Sequence, residues 1–148
     1  MTLRLVEAPS SPTSATETHG AADSSWQNAV GAPAFTWTRA SDGSGSGIAG
    51  YHVYWGPDPD GTSTDWRVSA SYDPSAVPDP SVYYLRVHTE DQAGNAGDWL
   101  TLFTFRYDGT APSNPTGFSS SHVLDVCTAY VGRDEVADMT GVINRFST

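Results

Sequence analysis

The sequence contains no lysine. All seven of its basic residues are arginines, against 17 acidic residues, for a formal net charge of −10. Such a chain repels phosphate backbones, which argues against nucleic acid as a partner. The same sign of charge disfavours anionic membrane surfaces. Long apolar runs are also missing. None approaches the roughly 20 residues that a membrane-spanning helix needs, so no membrane insertion is expected. Met1-Thr2-Leu3-Arg4 is not followed by the apolar core of a signal peptide. If the parent protein is exported, its signal lies upstream of this fragment. Cysteine is reduced to Cys127, which rules out an internal disulfide and reads as a small buried hydrophobe.

What is present points to β-structure. Five Trp, seven Tyr and five Phe are separated by turns rich in Gly and Pro, the pattern of an all-β chain. A length of 148 residues allows one domain, or one domain plus a fragment. A module of about 100 residues buries a core without metal or disulfide support.

One segment recurs. Ala8-Pro9-Ser10-Ser11-Pro12-Thr13, with His19 beyond it, returns as Ala111-Pro112-Ser113-Asn114-Pro115-Thr116, with His122 beyond it. Both Pro and His give the same offset of 103 residues (112 − 9 and 122 − 19). Recurrence at a domain-sized spacing marks a module boundary in a tandem array. Residues 1–7, with Leu3-Arg4-Leu5, read as the remnant of a preceding module's last strand. Residues 8–110 read as one complete module. Residues 111–148 read as a linker followed by a truncated second module or weakly ordered tail. In that tail the repeat implies strands, whereas the spacing of Val136, Met139, Ile143 and Phe146 fits a helix. The Pro-spaced linkers 8–13 and 111–116 are semi-rigid by composition.

Within the module, period-two alternation marks the strands. Phe35 and Trp37 share one face, as do Tyr51, Val53 and Trp55. Tyr83, Leu85, Val87 and Thr89 point inward, with Tyr84, Arg86 and His88 outward. Trp99, Thr101, Phe103, Phe105 and Tyr107 fall on one face, which leaves Leu100 and Leu102 on the other. Asp65 to Ser69 forms a shorter strand. Turn signals at 42–47, 57–61 and 92–95 separate these runs. Short strands at this spacing describe an antiparallel two-sheet β-sandwich.

Three blocks carry a family likeness: Phe35-Thr36-Trp37, Ser46 to Trp55 with its Gly50-Tyr51-His52-Val53 run, and Tyr83 to Asn95 with Asp91-Gln92-Ala93-Gly94-Asn95. Over residues 9–110 the chain resembles the fibronectin type III and related immunoglobulin-like modules of large bacterial surface and secreted proteins. The resemblance implies that Trp37 anchors the core from the second strand and that Tyr51 and Val53 open the third. It also implies that Tyr83 makes the tyrosine corner of the sixth strand, its hydroxyl returning to backbone upstream. The fifth strand is expected within Ser69 to Val77, where Pro74, Pro78 and Pro80 crowd it toward a short edge strand.

Candidate chemistry is sparse. Asp58, Asp60 and Asp65 invite calcium, but three carboxylates with no closing Glu read instead as a solvated turn. Asp42 and Asp91 read the same way at one end of the sandwich. His52 and His88 are expected to be cross-strand neighbours on the outer face, a surface pair lacking the four ligands that zinc prefers. Gly43-Ser44-Gly45-Ser46-Gly47 lacks the Lys of a phosphate-binding loop and the central Ser of a nucleophile elbow; it reads as a flexible hairpin loop. No catalytic constellation, cofactor site or metal site is expected. Tyr54, Tyr84, Arg86 and His88, extended by Leu100 and Leu102, form either a patch for a glycan or protein ligand or a set of stabilising cross-strand pairs.

The expected function follows from the array and from the resemblance. It is a non-enzymatic structural spacer or adhesion module of a multi-domain extracellular or cell-surface bacterial protein, partnered by neighbouring modules of the same chain. The alternative is a carbohydrate- or protein-binding module appended to a secreted hydrolase.

Overall fold

The computed structural model describes residues 7–117. The chain divides into two units, Met1–Ala111 and Pro112–Thr148. The expectations for residues 1–6 and for the strand or helix beyond residue 117 lie outside the described residues.

Eight strands and no helix occur among the described residues: β1 (Ala15–Glu17), β2 (Trp26–Gln27), β3 (Phe35–Trp37), β4 (Ile48–Gly56), β5 (Trp66–Arg67), β6 (Ser71–Tyr72), β7 (Ser81–Asp91) and β8 (Leu100–Tyr107). They form a three-stranded sheet, β1-β3-β6, and a five-stranded sheet, β2-β8-β7-β4-β5. The fold is the two-sheet β-sandwich that the alternation predicts. One pairing departs from the antiparallel expectation. After β1 the chain crosses to the second sheet, where Trp26 and Gln27 pair in parallel with Arg106 and Tyr107.

The core lies between the inner faces. Phe35 and Trp37 from β3 meet Tyr51 and Val53 from β4, Leu85 and Val87 from β7, and Phe103 and Phe105 from β8, all buried. The Phe35 ring lies 5.1 Å from those of Trp55 and Phe103. Trp37 meets Tyr51 edge to face at 5.4 Å. Burying each such side chain stabilises the fold by about 1.5–3 kcal/mol relative to exposure, and tilted ring pairs add to that.

β6 confirms the short fifth strand. Only Ser71 and Tyr72 pair, with Thr36 and Phe35, before the proline-rich stretch ends the ladder. The loop 42–47 is not a hairpin, because it links β3 in one sheet to β4 in the other. Asp42 organises it: its Oδ2 accepts the Gly47 amide at 2.8 Å and its carbonyl accepts the Gly45 amide at 2.8 Å. Gly47, at φ 94°, supplies a conformation that side chains resist. The Asp91–Asn95 turn forms as the resemblance implies. Asp91 Oδ1 accepts the amides of Ala93 and Asn95, with Gly94 at φ 89°.

Two further expectations fail, for local reasons. β8 carries a bulge: Leu85 pairs with Phe103, but the next residue, Arg86, pairs with Thr101. The extra residue, Leu102, turns into the core at 3% exposure. The alternation therefore resets, which moves Trp99 to the outer face and removes Leu102 from it. Leu100, opposite Val87, lies on the inward side at the end of the sandwich. The second failure is Tyr83. Its ring packs on Trp55 at 5.3 Å, but it is only half-buried, and its hydroxyl has no hydrogen-bond partner among the described residues. The buried tyrosine hydroxyl that bonds backbone is that of Tyr51, which accepts the Ala40 amide at 3.0 Å.

Candidate functional site

The outer face of the five-stranded sheet gathers the remaining aromatic and titratable side chains. β4 and β7 pair over most of their length, so His52 stands opposite His88. β5 extends the sheet on one side, placing Trp66 opposite His52. The β8 bulge brings Trp99 beside His88 on the other side. The result is a continuous row of four rings across the strands. Trp66 and His52 lie 4.9 Å apart, His52 and His88 5.1 Å, and His88 and Trp99 5.0 Å. Gly50 makes room for the first ring: a Cβ there would sit 2.5 Å from a Trp66 ring carbon.

Glu90, two residues beyond His88 on the same face, completes the group. Its Oε2 lies 3.4 Å from His52 Nε2. One ligating atom from each of His52, His88 and Glu90 lies within 4.8 Å of the others. Burial pushes the His88 imidazole below its ordinary pKa, and the neighbouring His52 adds to the effect against the pull of Glu90. The other nitrogen of His52, Nδ1, is buried with no partner among the described residues. In front of the row, the loop containing Thr62, Ser63 and Thr64 borders an open depression of about 740 Å³ that also touches Glu90 and Trp99.

The four residues singled out from the sequence share the outer face, Tyr84, Arg86 and His88 along β7 and Tyr54 opposite Arg86, but they are engaged differently. His88 sits in the ring row. Arg86 is half-buried and acts as a clamp: its Nη1 donates to the Gly61 carbonyl at 2.7 Å, holding the 57–65 loop to the sheet. Its guanidinium also lies 6.0 Å from the Trp99 ring centre. Tyr54 lies under the same loop. Its hydroxyl accepts the Asp58 amide at 3.1 Å, and its ring fills the space beside Gly61. Tyr84 is opposite Gly56 and Thr104, outward and half-buried, away from the row. Sequence reasoning paired the histidines but missed Trp66 and Trp99, the first because its strand is two residues long and the second because of the bulge.

The acidic turn residues have structural partners. Asp58 Oδ1 accepts the Asp60 amide at 2.9 Å, and Asp65 pairs with Arg67 at 2.9 Å. Among the described residues, the only cluster of three His, Cys, Asp or Glu side chains placed to hold a metal is His52, His88 and Glu90.

The comparisons with known proteins speak to the fold. No protein-family model matches the chain, and no curated protein matches it. Its fold is similar to the solution structure of the sixth fibronectin type III domain from human fibronectin type III domain containing protein 3. The TM-score is 0.54 at 17% identity, over 76% of this chain and 98% of that domain. The chain thus has a fibronectin type III-like fold, as its strand blocks imply.

Proposed function

We propose that this chain is a non-enzymatic spacer or adhesion module of a multi-domain extracellular bacterial protein, its main partners being the neighbouring modules of its own chain. The observation that carries this reading is where the chain enters and leaves the sandwich. Near the start, the Ser10 amide donates to the Ser41 carbonyl at 2.9 Å and Ser11 Oγ to the Asp98 carbonyl at 3.2 Å. That is the end at which the 42–47 loop and the β7–β8 turn lie. At the far end, the Gly109 amide and Thr110 Oγ1 donate to the two carboxylate oxygens of Asp79 at 2.8 and 3.0 Å. The 11 residues of β7 separate the two ends, a distance of about 36 Å at the usual rise of a strand. Units joined this way stack end to end, and each adds a fixed length.

The recurrence of the Ala-Pro-Ser-x-Pro-Thr segment at residues 111–116 supports the same reading. The first copy is seated on the loops of its own module, which limits bending at the junction. Force applied between residues 9 and 110 tests the mechanical role. The module should unfold in one all-or-none event; gradual extension at low force would count against it.

The outer face favours a second reading, a carbohydrate- or protein-binding module of a secreted hydrolase. Trp66 is 39% exposed and Trp99 borders an open depression, two indoles suited to stacking on a sugar ring or a partner's apolar side chain. A glycan array and a pull-down, with Trp66→Ala/Trp99→Ala as control, test it. Binding that survives the double substitution would reject this face.

A further inference from the structure

We propose that His52, His88 and Glu90 form a site for a divalent transition-metal ion, best matched to Zn(II), which staples β4 to β7 across the outer face of the five-stranded sheet. This goes beyond either functional reading above and depends on neither.

The backbone supplies the arrangement. Residues directly opposite on antiparallel strands share a face, and so do residues two apart on one strand. His52 and His88 are the first kind of pair, and His88 and Glu90 the second. Three ligating groups therefore converge without any loop having to fold around an ion. The separation of His52 Nε2 and Glu90 Oε2, 3.4 Å, is long for a charge-assisted hydrogen bond, which runs about 2.7–2.9 Å. It matches the spacing of two ligands on a tetrahedral centre with bonds of about 2.0–2.1 Å, which is about 3.4 Å. All three ligand atoms fall within 4.8 Å of one another. Closing the widest spacing to tetrahedral length is a change of at most about 1.4 Å, within reach of side-chain torsions.

The surroundings suit an ion. Trp66 on the His52 side and Trp99 on the His88 side hold the imidazoles and shield them laterally. The open depression in front leaves a fourth position for water. Two imidazoles and one carboxylate favour zinc and its neighbours over calcium or magnesium, which prefer all-oxygen shells. A net charge of −10 draws cations to the surface. A ligating imidazole is normally held through its second nitrogen, and loss of such support costs 10–100-fold in affinity. His52 Nδ1 lacks that partner among the described residues, so binding is weaker than at a fully buttressed site.

The test uses the full chain carrying His19→Ala, His122→Ala and Cys127→Ser, which removes the chain's other histidines and its cysteine. Chelator-treated protein is titrated with zinc sulfate by calorimetry, and its melting temperature is recorded with and without the metal. One saturable ion per chain is expected. At a hundredfold excess over Kd the melting temperature should rise by at least about 5 °C. Cobalt(II) should give the visible absorption of a tetrahedral centre. His52→Gln, His88→Gln and Glu90→Gln should each weaken binding at least tenfold while leaving the metal-free far-ultraviolet circular dichroism spectrum unchanged. Glu90→Gln, which preserves side-chain volume, decides the matter if a histidine variant fails to fold. Absence of saturable binding, or binding unaltered by these substitutions, would overturn the proposal.

Discussion

The amide of Ala40 donates to the hydroxyl of Tyr51 at 3.0 Å. The bond ties the chain leaving β3 to the middle of β4, and so ties one sheet to the other. Tyr51 is buried and its ring also packs against Trp37. Tyr51→Phe should therefore cost about 1–3 kcal/mol, because it leaves a part-buried amide without an acceptor. Tyr83→Phe should cost under about 0.5 kcal/mol, since that hydroxyl has no partner among the described residues. Urea midpoints of the two variants test the assignment; the reverse order would restore Tyr83 as the corner residue.

Trp37 fills the core from β3, but its indole Nε1 is buried without a hydrogen-bond partner among the described residues. Trp37→Ala should cost roughly 3–5 kcal/mol. Trp37→Phe should recover more than half of that loss, because it restores ring packing and removes an unpaired donor. Equal losses in the two variants would show that the indole nitrogen has a role missing from this account.

Glu17 governs part of the acid response. Burial alone would raise its carboxyl pKa. Amide donors from Ala34, Ala21 and His19, at 3.0, 2.8 and 2.9 Å, together with the His19 ring, outweigh burial and hold the pKa below its ordinary value. A carboxylate depressed in the folded state contributes stability that is present above its unfolded pKa, near 4.3, and is lost as pH falls through the folded value. Glu17→Gln should lower stability at neutral pH and flatten its decline on acidification below about pH 4.3. Denaturant midpoints at neutral and acid pH measure this; parallel acid limbs in variant and wild type would contradict it.

Tyr54 and Gly61 should be coupled. A Cβ on Gly61 would collide with the Tyr54 ring, so Gly61→Ala must displace the 57–65 loop or the ring. Gly61→Ala should destabilise by about 1–3 kcal/mol, the usual range for overpacking. The same change in a Tyr54→Ala background should cost much less. A double-mutant cycle reads the difference, and strict additivity would mean that the loop does not sit on Tyr54.

The inward phase of β4 and β7 was legible because one face is buried, so Tyr51, Val53, Leu85 and Val87 alternate with polar neighbours. The Asp91–Asn95 turn was legible because its residue types fit its conformation. β8 was read in the wrong phase around Trp99 because a bulge leaves no mark in a run where Leu, Thr and Phe suit either face. The candidate site suffered most from that error. The His52–His88 pairing could be foreseen, but its flanking Trp99 could not, and Glu90 gains its meaning only when β4 and β7 are in register. Arg86 was expected in an open patch; only the fold of the loop reveals that Gly61 occupies its guanidinium.

The central claim is that the module is a spacer, entered at one end and left at the other. Small-angle X-ray scattering on proteins with one, two and four copies of residues 8–110, joined at the 103-residue offset of the recurring Ala-Pro-Ser-x-Pro-Thr segment, tests it most directly. The maximum dimension should grow linearly, by about 36 Å per added module. Growth that stalls as copies are added, with the particles becoming compact instead of extended, would contradict it.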